Sequence, residues 1–169
     1  MTVLNIVLYG DPILTTAAKP VTAWDDDLRK LAADMLETMY AACGVGLAAP
    51  QIGRSIALAV VDVSEDKSRP IVMVNPVLIA CSGFATSSEG CLSIPYLYCV
   101  MERSAHVTAK YQDLDGRSQK ASGDGLLARA LCHETDHLEG RLFYTRIAGI
   151  AEQSVIEHMR KVERARGKI

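Results

Sequence analysis

Hydrophobic spacing along the chain changes period several times. Between residues 22 and 43, "TAWDDDLRKLAADMLETMYAAC", apolar Leu28, Leu31, Met35 and Met39 recur at three- and four-residue steps behind a cluster of acids. That spacing predicts an amphipathic helix ending near Gly44, with one face packed on a sheet. Past the glycine-rich "GVGLAAPQIG" come short β-rich runs: "IALAVVDV", "IVMVNPVLI", "GFATSS", "YCVMER", "HVTAKYQDL" and "RSQKAS". Each reads as a strand, and Asp115-Gly116 between the last two marks a hairpin. Strands that follow one another without intervening helices predict antiparallel or mixed sheets, hence an α+β fold rather than a doubly wound one. The helical period returns over "SGDGLLARALCHETDHLEG", with Ser122 or Asp124 near the N-cap and Gly140 closing the helix. A last run, about Ile150 to Arg166, carries mixed charge and reads as a surface helix. With no repeat or linker, the expectation is one α+β domain over 1–169. Its antiparallel/mixed β-sheets pack around a central helix carrying "HETDH", with an N-terminal helix and a C-terminal helix.

Composition narrows this picture. A chain of 169 residues can bury a core without disulfide or metal staples. The net charge of -2 is scattered, which argues against a nucleic-acid or membrane-surface partner. Five cysteines, an odd number, fit reduced thiols and a reducing compartment. No basic residue precedes Lys19, and the longest strongly apolar run, "IALAVV", is far short of the roughly 20 residues that cross a bilayer. A cytoplasmic protein without membrane contact is the expectation.

The chemistry gathers at "HETDH", residues 133 to 137. Four residues apart on a helix, His133 and His137 project from one stripe, which Leu126 and Ala130 extend backwards, so the stripe is expected to face inward. Two inward imidazoles need partners, and a divalent metal suits both. The plainer alternative, core histidines satisfied by backbone or carboxylates, leaves Glu134 without a purpose, whereas His-Glu-x-x-His sets a general base beside the metal's water. Two candidates compete for third ligand. Glu157, 20 residues past His137, would make a zinc endopeptidase; Cys91, in the turn-rich "EGCLS" of 89 to 93, would make a cysteine-ligated site, though a small buried hydrophobe is the plainer reading of such a cysteine. Cys132 is about 100 degrees around the helix from His133 and points elsewhere.

Three stretches taken together, "GVGLAAPQ" (44 to 51), "EGCLS" and "HETDH", resemble the peptide deformylases in order and relative position. The resemblance implies that Cys91, His133 and His137 bind the metal and that Glu134 is the acid/base residue. It implies that the Gln51 amide and the Leu92 backbone N–H point at the formyl oxygen, while Gly44, Val45, Gly46, Leu47 and Gly90 line the peptide groove. In that family the metal is usually Fe(II), with Zn(II), Ni(II) or Co(II) able to substitute in a thiolate–imidazole set. The substrate implied is the N-formylmethionine end of a nascent polypeptide, met near the ribosome. The basic residues of "RKVERARGKI" are a conceivable ribosome contact, but a solvated helix end is simpler. Glu89 and Asp136 are candidates to orient ligands from behind. Two positions depart from the pattern: Tyr98 stands where many bacterial relatives carry an arginine, and Arg129 where an apolar wall of the methionine pocket is expected. A stem lining that wall, with its charge in water, is the expected pose of Arg129.

Overall fold

The computed structural model describes residues 2–147 and 152–165. Helix α1 spans Asp26–Ala41, and the Asp25 carboxylate caps it by accepting from the Leu28 N–H. Strands β1 (Gly46–Ala48), β2 (Leu58–Val61), β3 (Ile71–Ser82), β6 (His106–Gln112) and β7 (Ser118–Asp124) form one sheet in the order β1-β2-β3-β6-β7. Strands β4 (Ala85–Cys91) and β5 (Ile94–Arg103) make a separate two-stranded ribbon. All the ladders among these strands are antiparallel. Helix α2 spans Gly125–Leu138 and α3 spans Glu152–Ala165. The predicted run from Ile150 to Arg166 thus has both ends outside the described residues.

Alternation across the strands decides the layers. Leu47, Leu58, Val60 and Val74 face α1, where they meet Leu28, Met35 and Met39. Their neighbours Ala48, Ala59, Val61 and Met73 face α2, where they meet Ala128, Leu131 and Leu138. Both faces of β2 are covered, which is why its sequence is a continuous apolar run rather than an alternating one. A third cluster joins the β4–β5 ribbon to α3 through Ile94, Met101, Phe143, Val155 and Met159. Pro76 sits inside β3 without breaking it, because the register shifts between Val74 and Val77. There Asn75 takes a left-handed φ of 51°, and its side chain bonds Val21 and Gln112.

Three local features refine or correct the expectations. The glycine-rich stretch supplies a strand, β1, because its backbone pairs with β2 over Gly46–Ala48. Asp124 is the N-cap residue of α2 as expected, but it and Ser122 also lie in β7, still paired with β6, and no side-chain bond completes the cap of a helix that begins at Gly125 with φ 55°. The Asp124 carboxylate bonds His106 instead. Leu126 is exposed rather than inward, because the first turn of α2 emerges at the edge of a groove. Gly140 does follow α2; its φ is 72°, and a Cβ there would stand 2.9 Å from the Thr15 backbone.

Candidate active site

Helix α2 and the end of β4 bring three donors together. Cys91 Sγ is 3.2 Å from His137 Nε2, which is 3.2 Å from His133 Nε2. Tetrahedral ligation with metal–nitrogen bonds of about 2.0–2.1 Å sets two ligand nitrogens roughly 3.3 Å apart, so the spacing fits a bound ion. All three residues are buried, and among the described residues they form the one group of this kind. Glu157, the rival third ligand, is exposed on α3 and takes no part, which removes the endopeptidase reading. Cys132 also stays out; burial pushes its thiol up to about 11.

The surroundings prepare these donors. His133 Nδ1 lies 2.7 Å from Glu89 Oε1, which leaves Nε2 to face the sulfur. Burial alone would raise the Cys91 thiol, but the His137 and His133 imidazoles beside it hold it well below the ordinary range. Burial alone would also raise Glu89, yet His133 and Arg103 hold it down at about 2, so its charge is fixed. Asp136 bonds Arg103 and Arg146 and reaches no ligand, so it steadies the network rather than the site.

Glu134 differs from every other carboxylate here. It is buried, its Oε2 has no partner among the described residues, and burial pushes its pKa up to about 7 against the pull of His133 and His137. Gly46 makes room for it, since any Cβ at that position would collide with the Glu134 carboxylate. Gln51 is oriented by its own turn: Oε1 accepts from the Ala48 N–H at 2.8 Å, so Nε2 must face the site. That nitrogen lies 3.5 Å from Cys91 Sγ and 3.3 Å from Ser93 Oγ. These groups border a groove of about 980 Å³. Together they offer a metal cradle, a proton acceptor near neutrality and an uncharged donor, which is the equipment for hydrolysing an amide.

The polypeptide deformylase profile matches residues 3–153. The chain belongs to that family. A peptide deformylase of Nitrosococcus oceani is 44% identical over 164 residues, covering 97% of this chain and 98% of its own. The crystal structure of the Legionella pneumophila peptide deformylase superposes with a TM-score of 0.93 at 40% identity, covering 99% of both chains. That of the Synechococcus elongatus enzyme in complex with actinonin gives 0.86 at 42% identity, covering 94% of this chain and 87% of its own. A deformylase is a metal-dependent hydrolase of the N-formyl group, and the cysteine–histidine–histidine cluster is consistent with that dependence.

Within this deformylase, Gly44, Val45, Gly46, Gly90 and Leu92 border the groove, while Leu47 is fully buried against α1 and keeps its side chain out of it. A Cβ at Gly44 would stand 2.9 Å from Leu92 Cδ1, the movable end of that side chain. Arg129 departs from its expected pose. Its guanidinium is not in water but buried, donating to Glu89 Oε2 at 3.0 Å and to the Ala85 carbonyl at 3.4 Å. Sequence reasoning missed Ser93, Arg103 and Arg146. Arg103 was within reach, because it shares strand parity with inward Cys99 and Met101, and so was Ser93, the last residue of "EGCLS"; Arg146 carries no local signal.

Proposed function

We propose that this deformylase removes the formyl group from the N-terminal formylmethionine of newly made polypeptides, with Fe(II) held by Cys91, His133 and His137. Residues 1–169 act as one catalytic domain that meets its substrate in the cytoplasm as the chain leaves the ribosome. Zn(II), Ni(II) or Co(II) can occupy the same donor set. The observation that carries this reading is the buried, unpartnered Glu134 oxygen beside three converging donors at a groove. When bound, the metal supplies a Lewis acid that polarises a carbonyl and lowers the pKa of water.

The protein's own residues account for the rest. Glu134 takes a proton from the attacking water and returns it to the departing amine nitrogen; with a pKa near 7 it can do both. As the formyl C–N bond breaks, the amine thus leaves neutral and formate is released. Gln51 Nε2 and the Leu92 N–H supply donors to the formyl oxygen as it gains charge, an effect typically worth about 2.7–4 kcal/mol per donor. Gly44, Val45, Gly46 and Gly90 keep the groove wide enough for a peptide.

Formate release from formyl-Met-Ala-Ser, measured on anaerobically purified protein of known metal content, tests the reading. Release in proportion to bound iron is expected, with loss of activity in air, since Fe(II) and its thiolate both oxidise. Glu134→Gln should lower kcat/KM by about 10²–10⁴-fold with the same metal content. Full metallation without formate would sink the proposal, and an active Glu134→Gln would remove the acid/base role.

A further inference from the structure

Outside the groove, the outer face of the five-stranded sheet carries a second set of reactive side chains. Strand alternation turns Val107, Ala109 and Ala121 inward onto α2, and therefore His106, Thr108, Lys110, Lys120, Ser122 and Asp124 outward. Cross-strand pairing sets His106 opposite Asp124, Thr108 opposite Ser122, and Lys110 opposite Lys120. Beside His106 and Thr108, β3 presents Ser82 and Ala80, both small and exposed, so this part of the face stays open to solvent.

Three of these side chains are linked in a definite order. Asp124 Oδ1 lies 2.8 Å from His106 Nδ1, and His106 Nε2 lies 3.1 Å from Ser122 Oγ. A carboxylate can only accept, so Nδ1 carries the proton and Nε2 is left to accept from the Ser122 hydroxyl. Ser122 Oγ also lies 2.7 Å from Thr108 Oγ1, and with the serine proton committed to the imidazole, Thr108 is the donor in that pair. A hydroxyl held on a base that a third group orients is the arrangement that makes a serine nucleophilic. The lysines add charge. Like charges placed directly opposite one another are destabilising, and neither Lys110 nor Lys120 has an ion pair among the described residues to relieve it. An anionic group lying across them would do so.

We infer that Ser122, His106 and Asp124 form an acyl-transfer site separate from the metal donors, which cleaves activated esters of anionic acyl groups. The inference does not depend on the deformylase reading. Ser122 Oγ bonds to the ester carbonyl carbon as its proton passes to His106 Nε2, and the Thr108 hydroxyl, released from Ser122, donates to the carbonyl oxygen as that oxygen gains charge. The bond from the acyl carbon to the leaving oxygen then breaks, His106 returns the proton to that oxygen, and the acyl group stays on Ser122. Water attacks the acyl carbon by the same route, giving a proton through His106 back to Ser122 Oγ and freeing the carboxylic acid. Asp124 touches no substrate and acts by positioning the imidazole. With one hydroxyl serving the charged oxygen in open solvent, the site suits esters with good leaving groups rather than amides.

The test compares p-nitrophenyl benzoate with mono-p-nitrophenyl terephthalate, which share a leaving group and differ by one carboxylate. The metallated full chain carrying Glu134→Gln is the background, so that cleavage at the metal cluster is kept small and common to every variant. Nitrophenolate release should be about 10²-fold faster there than after Ser122→Ala or His106→Ala, the low end of what a positioned base supplies. Asp124→Asn keeps an equally good helix-capping residue and should slow release at unchanged thermal unfolding, which loss of a purely structural carboxylate would not do. The terephthalate should react faster than the benzoate, and Lys110→Ala with Lys120→Ala or added salt should erase that preference. Peptide mapping of the quenched reaction should find the acyl group on Ser122. Release that Ser122→Ala leaves unchanged, or an acyl group found on lysine or cysteine instead, overturns the inference; a benzoate rate equal to that of the terephthalate overturns its anionic preference.

Discussion

The position of the Glu134 carboxylate depends on a neighbour that has no side chain. With burial alone a carboxyl group would sit protonated and idle; here it is pressed against Gly46 with His133 and His137 opposing its burial. Replacing Gly46 by alanine must displace either the strand or the carboxylate. We expect Gly46→Ala to lower kcat/KM at least about tenfold at unchanged metal content, by analogy with the cost of misplacing a proton-transfer group. Wild-type kinetics in that variant would show that the Glu134 position is not decisive. The same scale corrects the expectation for Arg129: buried against Glu89, it is a member of an ion network, and truncating it would disturb Glu89 before it enlarged any pocket.

Among elements, the junction of α1 with the segment after β2 carries a pH signature. Tyr40 O–H donates to Asp62 at 2.7 Å, and burial together with that carboxylate pushes the phenol up to about 12. The unfolded chain releases this proton near pH 10, whereas the folded chain holds it, so the native state binds more protons between the two values. The contribution is therefore complete below about pH 10 and is lost as pH rises through about 12. Denaturant titrations of wild type and Tyr40→Phe should differ by about 1 kcal/mol at pH 8, and the gap should close toward pH 12. A constant gap would mean that the phenol does not titrate with folding.

The whole molecule is tied at its centre by charge. Arg103 bonds Glu89 and Asp136, Arg129 joins Glu89, and Arg146 joins Asp136, so one network links the β4–β5 ribbon, α2 and the turn at Phe143–Arg146. A buried network of this kind is weak evidence of added stability, but removing one member strands its partners. Arg103→Met should destabilise the fold by about 3–5 kcal/mol in chemical denaturation and loosen the hold of Glu89 on His133. Metal affinity is then expected to fall about 10–100-fold, readable by competition with a chelator. A stable variant with wild-type affinity would show that Glu89 needs no arginine to orient the histidine.

What the sequence determined by itself was local. The helical period gave α1 and α2, β-rich runs gave the strands, and the four-residue spacing of His133 and His137 put both on one face, because helix geometry depends only on near neighbours. From residues alone the third ligand stayed open between Cys91 and Glu157, and only the resemblance chose Cys91. Tertiary structure decided the rest: Cys91 meets His137 across 46 positions, Gly46 cedes its space to Glu134, and three arginines converge on two buried acids. Such contacts follow from how layers pack and which strand faces turn inward, and no periodicity encodes a distance between residues that lie far apart along the chain.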